Sequence, residues 1–149
     1  MPDELIATGL SAEDRAFLQA FETGQLPPAD FHHREHIRAA WAMLCLHEPA
    51  AALVQFCAAL RRFAARAGSP GLYHETITWA YLLLVHERLA RDGHGLTFAE
   101  FTARNADLFA WRPSILDRHY RPEVLGSDLA RRVFVFPAAA FEAGDPAEG

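Results

Sequence analysis

Two short strings hold most of the groups capable of chemistry, His32-His33-Arg34-Glu35-His36 and Tyr73-His74-Glu75-Thr76. His32 and His36 are four residues apart, so on a helix their imidazoles leave from one face and can converge on one metal ion. A third ligand from His74 or Glu75 would leave one position open for water or substrate, the arrangement of a catalytic rather than a structural centre. Zinc and non-haem iron both suit that set. Without a metal, His36 or His74 with Glu75 makes an acid–base pair, because an unpaired carboxylate entering an apolar environment has a raised pKa. Tyr81 or Tyr120 would then orient a small polar substrate. Structural roles compete with each of these. Histidines at helix starts can act as caps, kept neutral by the positive end of the helix dipole. Glu75 can instead hydrogen-bond His32, His36 or an arginine and pin the fourth helix against the second.

The first string also matches the H-x-x-E-H pattern of inverted zinc peptidases. A chain of 149 residues is short for the scaffold those enzymes use, so the match is set aside, and Glu35 is expected on the surface, paired with Arg38. All 14 basic side chains are arginine. Without lysine there is no Schiff base, no pyridoxal phosphate anchor and no Walker A phosphate loop. The 19 acidic residues leave a net charge of −5, the wrong sign for a protein that binds by neutralising phosphates, so no nucleic-acid partner is expected.

These strings must be positioned by helices. Nearly every long segment has a 3.6-residue apolar period, which predicts an all-α fold, a single-domain antiparallel bundle of about five to six helices over residues 1–137. The first helix runs from Ser11 to Thr23, opened by Ser11 with Asp14 and stopped at Gly24. The second is expected from Asp30 to His47, the third from Pro49 to Gly68 and the fourth, the most apolar, from Gly71 to Arg91. Thr97 and Glu100 open a fifth, Pro113 a sixth through Tyr120, and Ser127–Arg132 makes one turn. Val133–Pro137 then reads as an extended segment, and residues 138–149 as a mobile tail. Short connections make helices two, three and four run up, down and up. The starts of helices two and four therefore share one end of the bundle, which brings His32, His33 and His36 toward His74 and Glu75.

The N-terminus carries Asp3 and Glu4 instead of a basic start, and the longest apolar stretch, Ile77–Val85, is far shorter than the roughly 20 residues of a membrane span. A cytoplasmic protein with no membrane association is expected. Cys45 and Cys57 fall on antiparallel helices with an axial offset of about 9 Å, which favours two buried thiols over a disulfide.

Phe31-His32-x-x-x-His36, Tyr73-His74-Glu75-Thr76 and the later Arg-Arg-Val-Phe-Val-Phe-Pro together resemble an uncharacterised family of small bacterial all-helical proteins. The resemblance covers roughly residues 30–137 and implies a shared architecture without supplying an activity. Residue chemistry alone therefore sets the leading expectation, a small helical enzyme with a histidine-rich site that uses a divalent metal on a small polar molecule. The alternatives are a metal-free His/Glu acid–base enzyme and a ligand-binding or interaction module with structural histidines, including a homodimer joined through an aromatic face.

Overall fold

The computed structural model describes residues 8–137. Among them are eight α-helices and no strand, only one isolated bridge between Gly9 and Thr97. The expected tail, residues 138–149, lies outside the described residues.

Helix α1 (Ala12–Thr23) begins as expected: the Ser11 hydroxyl accepts from the Asp14 amide at 3.0 Å and the Asp14 carboxylate accepts from the Ser11 amide at 2.9 Å. It ends at Gly24, whose φ of +85° lies in the left-handed region that glycine enters without strain. A 3-10 turn over Pro28–Asp30 separates α1 from α2 (His33–Leu46), so the expected start at Asp30 is too early. Helix α3 spans Pro49–Arg66 with proline in its first turn. A second 3-10 turn, Pro70–Leu72, precedes α4 (Glu75–Asp92). The chain continues through α5 (Phe98–Arg104), α6 (Ala106–Phe109), a 3-10 turn over Ile115–Arg118, α7 (Pro122–Leu125) and α8 (Asp128–Arg132).

Helices α2 and α4 are the most deeply buried. Ile37, Ala39, Ala40, Trp41, Ala42 and Met43 are fully enclosed on α2, as are Tyr81, Leu82 and Val85 on α4. They belong to one continuous apolar cluster with Phe21, Phe56, Phe101, Leu108 and Leu116. Burying such side chains contributes about 1.5–3 kcal/mol each relative to exposure. Asp14 is the buried carboxylate near this cluster, and Arg38 of α2 donates to its Oδ1 at 2.8 and 3.1 Å. Burial opposes the Asp14 charge, but the Ser11 amide and hydroxyl and the Arg38 guanidinium outweigh it and hold the pKa below the usual carboxylate value.

Residues 133–137 lie against α4 without pairing as a strand. Thr76, fully buried, donates its hydroxyl to the Val133 carbonyl at 2.7 Å and accepts from the Val135 amide at 3.0 Å. Tyr120 donates to the Val135 carbonyl at 2.7 Å, and Phe134 stacks on Trp79 with ring centroids 5.0 Å apart. Side-chain hydroxyls thus supply the partners that a neighbouring strand would otherwise provide.

Candidate functional site

Both histidine strings sit where a helix begins, and in both the first histidine is the N-cap residue, with extended backbone, rather than part of the helix. That phase decides where every ring points. His32 has φ −112° and ψ −174°, its amide donates to the Glu35 carboxylate at 2.8 Å, and its side chain is 73% exposed. The expected same-face pairing of His32 with His36 is therefore replaced by His33 and His36, one turn of α2, whose ring centroids are 6.4 Å apart. Glu35 does not pair with Arg38 as expected, because it caps the helix while Arg38 turns to Asp14.

The starts of α2 and α4 do meet, as the helix order predicts, and between them lies a cavity of about 530 Å³. Phe31, His32, His33 and His36 line one side, Ile77 and Tyr81 of α4 the other, and Trp111 the rim. This volume falls within the usual range of small-ligand pockets, about 300–1,000 Å³. The walls are fixed by aromatic contacts. Phe31 stacks on Phe21 at 5.0 Å, His36 lies 5.3 Å from Phe56, and His33 lies 5.0 Å from Tyr81 and 4.9 Å from Trp111.

Among the described residues the ring of His33 has one hydrogen-bond partner, the Leu108 carbonyl, 2.8 Å from Nε2. A carbonyl only accepts, so Nε2 carries the proton and Nδ1 keeps a lone pair. Burial pushes the His33 pKa down, against the opposing pull of that carbonyl. His36 has no hydrogen bond from either ring nitrogen among the described residues, although its ring lines the cavity. Desolvation, reinforced by His33, pushes its pKa down to about 3. Both imidazoles are neutral at pH 7. Tyr81, buried to 0% exposure, shares a 2.7 Å hydrogen bond with the Ser114 hydroxyl, which also accepts from the Leu116 amide.

The other expected site residues are held elsewhere. His74 folds back as the cap of α4: its Nδ1 accepts from the Ile77 amide at 3.1 Å and its Nε2 donates to the Leu125 carbonyl at 2.7 Å, so both nitrogens are occupied. Glu75 accepts from the Tyr73 hydroxyl at 2.6 Å and from Arg61 of α3 at 3.0 Å. Of its readings, pinning to an arginine is the one realised, and the partner helix is α3. The expected ligand set of His32, His36, His74 and Glu75 is not assembled, and no group of three or more His, Cys, Asp or Glu side chains among the described residues is placed to hold a metal ion. For the same reason His74 and Glu75 form no acid–base pair with the cavity. Tyr120 is likewise removed, its hydroxyl bound to Val135 beside a separate groove containing His119. Of the expected catalytic candidates, Tyr81 and His36 line the cavity, whereas His74, Glu75 and Tyr120 do not.

Cys45 and Cys57 are free thiols, and burial drives the Cys45 pKa up to about 12, so it is no nucleophile. Among the described residues no helix is long and apolar enough to cross a membrane. No protein-family model, curated protein or solved structure matches the chain.

Proposed function

We propose that this chain is a small-molecule-binding helical domain whose cavity takes a planar, uncharged ring bearing a hydrogen-bonding edge. The observation that carries this reading is His36: a neutral imidazole, walled by aromatic rings, with no hydrogen bond from either nitrogen among the described residues. His36 is half-buried at the cavity wall, and a ligand edge would supply its nitrogens with a partner. The lone pair on His33 Nδ1 asks for a donor, while His36 can offer a donor and an acceptor together. Phe31 and Trp111 provide flat apolar surfaces for the ring. No carboxylate lines this cavity, which argues against a cation.

Binding is preferred over the enzyme readings because the available imidazoles are poor proton carriers. A general base works best with a pKa near the working pH, and that of His36 is about 3. The two unpaired thiols suit a reducing compartment, and the cytoplasm is the location proposed. Titration calorimetry with indole as the uncharged ring tests the reading. Wild type should give saturable one-to-one heats, and His36→Leu should weaken binding by about two- to tenfold, the equivalent of one neutral hydrogen bond. Absence of saturable heat in folded wild type would refute it.

A further inference from the structure

Beside the aromatic cavity lies a second one of about 310 Å³, lined by Trp111, Arg112, Pro113, Ser114 and Asp117. Trp111 belongs to both, and the Tyr81–Ser114 hydrogen bond links a wall residue of each. A molecule lying across Trp111 would reach residues of both. Their chemistry differs sharply. The first is aromatic and uncharged, whereas the second carries one positive and one negative side chain, Arg112 and Asp117.

Arg112 and Asp117 form no ion pair with each other or with any other described residue, although nearby Arg118 lies 3.6 Å from Asp107. Opposite charges lining one pocket without joining leave each available to a counter-charge. A ligand with one charge would gain at one side chain and lose at the other, while a ligand bearing both charges gains twice. From this juxtaposition we infer that the bound molecule is an aromatic zwitterion, its ring among Phe31, His36 and Tyr81 and its ammonium and carboxylate beside Asp117 and Arg112. Aromatic α-amino acids are the corresponding chemical class. The inference rests on the ring-binding reading above and adds the polar head.

Four probes sharing one ring separate the two ideas: indole, indole-3-propionate, tryptamine and tryptophan, titrated into wild type, Arg112→Gln and Asp117→Asn. Tryptophan should bind wild type most tightly. Arg112→Gln should weaken tryptophan and indole-3-propionate by about two- to fivefold, and Asp117→Asn should do the same to tryptophan and tryptamine, as expected for solvent-exposed charge contacts. Indole should be unaffected by either substitution. If indole binds but the four probes are equivalent, or the substitutions change nothing, the zwitterion proposal is overturned and the ring site stands. If no probe binds, indole included, the ring site itself is rejected.

Discussion

Replacing His36 with leucine should make the protein less sensitive to acid, and the size of the effect follows from where the ring sits. The imidazole has a pKa of about 3 in the folded chain against an ordinary value of 6.5. Because the folded pKa is depressed, the unfolded chain binds the proton more readily, so stability is full above about pH 6.5 and falls as the pH drops toward the folded value. At pH 5 the unfolded state gains about 2 kcal/mol from protonating this one residue, while folded His36 stays neutral. The stability gap between wild type and His36→Leu should therefore change by about 2 kcal/mol between pH 8 and pH 5, in favour of the variant at acid pH. His33 and His74, also depressed by burial, act in the same direction but occur in both proteins. Urea unfolding followed by circular dichroism at the two pH values measures this. With a slope of about 1–3 kcal/mol per molar urea, the gap between midpoints should change by roughly 1 M. A gap that is the same at both pH values would show that folded His36 takes up a proton as freely as the unfolded chain, contradicting the desolvation that depresses its pKa.

Two further outcomes concern the frame around the site. His74→Ala removes a helix cap and a hydrogen bond to Leu125, which should cost about 2 kcal/mol and lower the melting temperature by roughly 4–8 °C. Ring binding should persist, because His74 does not line the cavity. Gly9→Ala would drive a methyl group into the Leu96 carbonyl and should release the bridge to Thr97 and the Gly9–His94 bond. Faster amide hydrogen exchange at Gly9 and Leu10, with the rest of the chain unchanged, is the expected readout.

Helical periodicity and capping chemistry made the all-α fold legible, including the Ser11 and Thr97 caps. The approach of the α2 and α4 starts also followed from the short connections between helices. What periodicity does not reveal is the residue at which a helix begins when histidine is the cap. Placing His32 and His74 inside their helices by a residue or more rotated their rings onto the wrong faces, which is why His33 was undervalued and His74 overvalued. The contribution of Trp111 comes from a segment between α6 and the Ile115–Arg118 turn that has no period to read. The Tyr73-His74-Glu75-Thr76 string looked catalytic because it is polar and opens an apolar helix. It is polar because His74, Glu75 and Thr76 each hold a different part of the molecule, Leu125, Arg61 and Val133, while Tyr73 holds Glu75.

Thr76 ties its own helix to chain that is made 57 and 59 residues later. As the polypeptide leaves the ribosome, α4 can wind and meet α2 long before that stretch exists. Its first turn meanwhile carries a hydroxyl destined for a dry interior and an imidazole awaiting Leu125. Closing this end of the bundle is thereby deferred until residues 133–135 have been made, and a nascent chain stopped short of Val133 leaves that end of α4 unsealed.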